Sequence, residues 1–224
     1  MGFLDDLKRQ AEALRAQGDH QQRLQLHVVQ AVEAAAASLR AYLLDLAQSL
    51  EAIRPAARVR YLLDKQAVLQ DLPHEDFRFD ARRSRVLDLE VIDHMHLNCQ
   101  VRGRARVQLA KDFVTDIELL EGRLAQAGIP YERDTVRHPD SGHLQQIVYG
   151  FVPEVRLSMS VRCRHEQGRL HFVLRNLDGL ETVSCSFTPE ALTAWRLDEL
   201  ARWWAGAPHR FLQDAEDLRR VEAR

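Results

Sequence analysis

Apolar residues recur at helical spacing from the start of the chain. Phe3, Leu4, Leu7, Ala11 and Leu14 mark one face of an amphipathic helix that reaches about Gln17. Gly18-Asp19 can end it, with Asp19 capping a second helix, or one kinked helix can run through. From His20 to Arg54 the pattern strengthens. Val28, Ala35, Tyr42 and Ser49 repeat every seven residues, and Val32, Leu39, Leu46 and Ile53 repeat in step with them. Interleaved spacings of four and three are the a/d register of a heptad helix. The register marks Val28, Val32, Leu39, Tyr42, Leu46 and Ile53 as a candidate interface, toward a second copy, a partner or the chain's own sheet. Leu43 and Leu50 widen the stripe beyond a two-stranded seam, and Pro55 ends the helix.

From Arg58 the period changes to two. Val59, Tyr61 and Leu63 alternate with Arg58, Arg60 and Leu62, and Phe77 and Phe79 alternate with Arg78 and Asp80. Arg82-Arg83-Ser84 reads as a turn before Leu87, Leu89 and Val91, and a long strand is expected from Leu97 to Val107. Alternation of this kind means a sheet with one covered and one wetter face. A helix over 112–127 carries Phe113, Ile117, Leu120 and Leu124 on its buried stripe and Gly128 as its C-cap. Strands are expected over 131–137, 144–152, 154–165, 169–177 and 181–187, joined by turn chemistry that pairs consecutive strands into an antiparallel meander. Pro189 opens a further helix toward Trp204, and Pro208 a last one that fades into Glu222-Ala223-Arg224.

The predicted fold is therefore α+β. A mostly antiparallel sheet of about six to eight strands is packed by helices on one face and preceded by the long amphipathic helix. The expected division is a helical segment over 1–55 and a sheet domain with two C-terminal helices over 56–224. At 224 residues with 46% hydrophobic side chains, the chain needs no disulfide or metal to fold.

Charge narrows the partners. The formal net charge of -2 gives no global attraction to nucleic acid or to an anionic membrane, so nucleic acid is a disfavoured partner and no membrane is expected. Asp5 and Asp6 stand where a secretory leader carries positive charge, and no apolar run approaches the roughly 20 residues of a membrane span. A cytoplasmic location is expected, with Cys99, Cys163 and Cys185 as reduced thiols. Only Lys8, Lys65 and Lys111 are lysines among 31 basic residues; the rest are arginine, the residue suited to bidentate anion recognition.

Three constellations could carry chemistry. Arg102, Arg104 and Arg106 line one strand face, and Arg156, Arg162 and Arg164 another, with Arg175 able to join them. Ser158, Ser160, Thr182, Ser184 and Ser186 make that second face rich in hydrogen bonds, so Arg102, Arg104, Arg106, Arg162 and Arg164 are the candidate anion ligands. The aromatics that would stack unpaired bases are missing from both rows. Asp88, Glu90, His94 and His96 could form an acid–base surface near neutral pH if their strand runs straight. His94 and His96 resemble half a metal site, with Cys163 and His165 the other half, but alternation sends the pairs to opposite faces and no metal or cofactor is expected. No P-loop, dinucleotide fingerprint, H-E-x-x-H or nucleophile elbow occurs. The expectation is a non-enzymatic binding or adaptor protein that self-associates or docks a protein partner through the heptad helix. The alternative is a small-molecule enzyme or ligand-binding domain using the polar sheet face.

Overall fold

The structure, a computed structural model, describes residues 2–65 and 67–222. Its first element, α1 (Phe3–Ile53), runs for 51 residues without a break at Gly18-Asp19. One interior glycine costs a helix about 1 kcal/mol, too little to stop a segment whose neighbours on both sides are good helix formers. The helix ends where Arg54 turns to a left-handed φ of 47° ahead of Pro55. The side chains of Phe3, Leu4 and Leu7, part of the expected stripe, lie outside the described residues, as do Ala223 and Arg224 at the other end.

The two halves of α1 differ. Residues 8–25 are exposed throughout, whereas Val29, Val32, Ala36, Leu39, Leu43, Ala47 and Leu50 are buried. These side chains belong to one core with Met95, Leu97, Cys99 and Val101 and with Val155, Leu157, Met159 and Val161. From Val29 onward the helix therefore packs on its own sheet, and the core crosses the boundary expected at residue 55. Of the candidate interface positions, Val32 and Leu39 are fully buried in that core. Tyr42 and Leu46 are half-buried at its margin, and the Tyr42 hydroxyl donates to Asp198 at 3.1 Å. Val28 and Ile53 stay on the surface at 37% and 72% exposure. The central row is Val29-Ala36-Leu43-Leu50, one residue on from the series that began at Val28. A stripe laid against a sheet is wider than a coiled-coil seam, so sequence spacing alone leaves its centre ambiguous by one position.

After a short hairpin of β1 (Tyr61–Leu62) and β2 (Val68–Leu69), β3 (His74–Val86) and β4 (Leu89–Arg102) form a long one. Its turn is Leu87-Asp88, both at positive φ (46° and 61°), as a two-residue primed turn requires. Arg82-Arg83-Ser84, expected as a turn, lies inside β3 because β4 supplies a backbone partner opposite each of them. The strand expected to reach Val107 stops at Arg102. Gly103 has Pro153 and Leu72 side-chain atoms 3.2 Å from where a Cβ would sit, and the chain leaves the sheet there.

β5 (Val107–Lys111), β6 (Tyr131–Arg137) and β7 (Leu144–Phe151) make a three-stranded sheet in the order β5-β7-β6. Between β5 and β6 lies α2 (Val114–Ala127), closed by Gly128 at φ 74°, with Ile117, Leu120 and Leu124 buried. Beyond Val152-Pro153 the chain returns to the main sheet as β8 (Glu154–Arg164), β9 (Arg169–Arg175) and β10 (Glu181–Phe187). α3 (Ala194–Trp204) follows and places Leu197, Leu200, Trp203 and Trp204 in the core. The helix expected after Pro208 is instead β11 (Glu216–Glu222), which pairs with β10. The open edge of β10 offers backbone partners that an isolated seven-residue helix could not match, and Arg220 adds an ion pair to Glu181 at 2.8 Å.

The main sheet thus has six strands, β11-β10-β9-β8-β4-β3, with every neighbouring pair antiparallel. α1 and α3 cover its inner face and leave the outer face to solvent. Among the described residues no helix is long and apolar enough to cross a membrane.

Candidate functional site: the outer sheet face

Strand pairing places the outer-face side chains in rungs that cross four strands. Arg82, His94, Arg162 and His171 share one rung, and Asp80, His96, Ser160 and Val173 share the next. Asn98, Ser158 and Arg175 follow on the third. Together Asp80, Arg82, Asp93, His94, His96, Ser158, Ser160, Arg162, Val173 and Arg175 line an open basin of about 460 Å³.

A bulge in β4 shapes this basin. The register passes from Arg83↔Ile92 to Arg82↔His94, so Asp93 is an extra residue. On one side of the bulge Val91 and Ile92 are both buried, Ile92 in the main core, with its amide donating to Glu33 of α1 at 2.7 Å. On the other side it is Met95, Leu97 and Cys99 that are buried. The side-chain parity reverses at Asp93. Glu90 consequently falls on the α1 side, paired with Arg83 at 3.7 Å, and Asp88 sits at the hairpin tip. Neither joins His94 and His96, so the four residues form no acid–base cluster; the straight strand that would have aligned them is bent.

The arginine rows separate in a similar way. Arg102 ends β4 in an ion pair with Glu154 at 2.6 Å, Arg104 is exposed in the loop, and Arg106 is paired with Glu132. They share no face, because the strand that would have aligned them ends at Arg102. Arg164, at the end of β8, donates to Gln167 at 3.3 Å. Arg162 alone of the five candidates lines the basin, and there it joins Arg175 and Arg82. Arg82 has Asp80 at 3.6 Å. Arg162 and Arg175, by contrast, make no ion pair and no side-chain hydrogen bond among the described residues. Asp80 alternates with Phe77 and Phe79 in the sequence, whereas Arg82 falls in the span 82–84 that reads there as a turn.

Two imidazoles stand among these cations. His94 and His96 stack with ring centroids 6.5 Å apart. The Asn98 amide donates to His96 Nδ1 at 3.2 Å, which leaves the His96 proton on Nε2. Burial and the neighbouring His94 and Arg175 hold the His96 pKa below its ordinary value against the pull of Asp80. His171, with Ser186 Oγ at 3.0 Å from its Nδ1, is lowered by burial and by Arg164 and Arg162, with Asp217 opposing. Both rings are therefore neutral at neutral pH and can donate an N–H to an anion. The remaining candidate ligands face elsewhere. Cys163 points into the core, and His165, on the same side, donates from Nε2 to the Ile92 carbonyl at 2.9 Å. Among the described residues no group of three or more His, Cys, Asp or Glu could hold a metal ion. Burial raises the thiols of Cys163 and Cys185 to about 12 and that of Cys99 as well, which removes them as nucleophiles.

What the basin offers is a set of guanidinium forks, serine hydroxyls and imidazole N–H groups, the chemistry that recognises tetrahedral or planar oxyanions. No protein-family model, curated protein or solved structure matches the chain.

Proposed function

We propose that the protein is a non-enzymatic binding protein whose outer sheet face holds a small phosphate- or carboxylate-bearing ligand. The observation that carries this reading is the pair Arg162 and Arg175, uncommitted to any carboxylate and converging with Arg82 on one basin. An arginine that serves only solubility needs no particular neighbour, whereas three around serines and imidazoles form a recognition surface. A single-stranded nucleic acid suits the face less well, since Phe77 and Phe79 pack toward the core and the basin is lined by no Phe, Tyr or Trp. Calorimetric titration with pyrophosphate at low ionic strength tests the proposal. Saturable binding that Arg162→Gln with Arg175→Gln abolishes is the expected result. No binding up to millimolar ligand would defeat it.

A second reading concerns self-association or partner docking through the free half of α1. It is favoured by the exposure of residues 8–25, with Leu14 at 69% and Leu24 at 54%. Most of a helix's stability comes from packing an apolar face, which residues 8–25 do not do on this chain, so contact with another chain would stabilise them. Light scattering on the full chain and on a chain beginning at Val28 separates the outcomes. A multimeric mass for the full chain that becomes monomeric on truncation supports association, and each chain at its own monomeric mass dismisses self-association.

A further inference from the structure

The basin just described has a neighbour. Asp76, Arg78, Asn98, Gln100 and Arg156 line a second outer-face basin of about 490 Å³, and His96 lines both. Arg78 stands on the rung of Asn98 and Ser158, and Arg156 on that of Gln100. Neither guanidinium makes an ion pair or a hydrogen bond among the described residues, although the Arg156 carbonyl accepts from the Asn176 amide at 2.9 Å. Cations thus continue past the first basin along the same face.

Their arrangement along β8 is regular. The outer row reads Arg156, Ser158, Ser160, Arg162, with two hydroxyls between two guanidiniums. At about 3.4 Å per residue the two arginine Cα atoms lie roughly 20 Å apart. The aspartates keep to one side of this track: Asp76 and Asp80 are on β3, and Asp93 is at the bulge beyond its end. The adjoining outer positions of β4 are His94, His96, Asn98 and Gln100, which offer donors and acceptors and no carboxylate. A compact anion fills one end of such a track and leaves the other unused.

Building on the anion-binding reading, we propose that the outer face takes a linear oligophosphate. The chain would lie along β8 from the first basin to the second, across His96. A phosphate chain presents oxygens along its whole length, which hydroxyls and imidazole N–H groups can meet between the terminal guanidiniums. It is thin, carries no base to stack, and lies along β8 with β4 between its charge and Asp76 and Asp80, which line the β3 side of the two basins.

Calorimetry on the full chain with pyrophosphate and with a polyphosphate of about fifteen phosphates, long enough to span the row, tests this. Linking charges along one track should make the long chain bind at least about tenfold more tightly than pyrophosphate, at concentrations expressed per chain. Arg156→Gln, an exposed position whose fold is checked by circular dichroism, should reduce polyphosphate affinity about tenfold and change pyrophosphate affinity by less than about twofold. Equal affinity for the two anions, or an equal loss of both on Arg156→Gln, overturns the extended ligand while leaving anion binding intact. Failure of both anions to bind defeats the underlying reading as well. Tighter binding of a single-stranded oligonucleotide of the same charge overturns the ligand class.

Discussion

Leu39 and Leu14 lie on the same helix with opposite surroundings, and replacing each by alanine measures what α1 is packed against. Leu39 is 0% exposed, with Ala36 and Leu43 buried on adjacent turns, and the wall it meets is a six-stranded sheet that cannot collapse into a void. Leu39→Ala deletes three carbons from that site. At roughly 0.8 kcal/mol per methylene the transfer loss is about 2.4 kcal/mol, and the unrelaxed cavity brings the total to about 3 kcal/mol. For a chain of this size the melting temperature should fall by about 6–12 °C. Leu14, 69% exposed, should change stability by no more than about 0.5 kcal/mol when truncated. Urea unfolding followed by circular dichroism, at a protein concentration where the chain is monomeric, gives both values. A loss at Leu39 below about 1 kcal/mol, or no larger than that at Leu14, would refute the assignment of Val29–Leu50 to the chain's own core.

Two further outcomes follow from buried polar groups. Lys111 and Asp64 form an ion pair at 2.6 Å with side chains only 13% and 8% exposed, and Asp64 also accepts from the Ala67 amide at 2.7 Å. Lys111→Met should therefore cost about 3–5 kcal/mol by thermal unfolding, with much of it recovered when Asp64→Asn is added; a cost below about 1 kcal/mol would contradict the burial. His74, His96, His171 and His209 all have pKa values lowered chiefly by burial, so the unfolded chain takes up protons more readily than the fold. The stability they contribute is complete above the ordinary histidine value of about 6.5 and drains as pH falls below it. The urea midpoint should fall from pH 7.5 toward pH 5.5, and less steeply in His74→Gln, whose native ring is 1% exposed. A midpoint that rises on acidification through that window would contradict the sign.

Much of the chain follows local rules, and there the elements were legible from residue order. The span of α2 and its Gly128 cap, and the strands β6 and β10, depend on a hydrophobic period and on nearby turn chemistry, which neighbouring residues set between themselves. The same holds for the meander through β8, β9 and β10 and for the long helix itself. The α+β class needed no more than this.

The site depended on what pairing decides. Asp93 as a bulge exists only relative to β3, and it is what parts Glu90 from His94 although four residues of alternation suggest a shared face. Gly103 ends β4 because Pro153, fifty residues on, stands against it, and that scatters Arg102, Arg104 and Arg106. Glu216–Glu222 is a strand because β10 has an edge to fill. Val29 rather than Val28 heads the buried row because the sheet surface picks the helix face. Arg82, His96, Arg162 and Arg175 come from β3, β4, β8 and β9, and no spacing within one strand encodes which residue of the next will stand opposite. Periodicity assigns a side chain to a face; register across strands assigns it neighbours, and register is a property of the whole sheet.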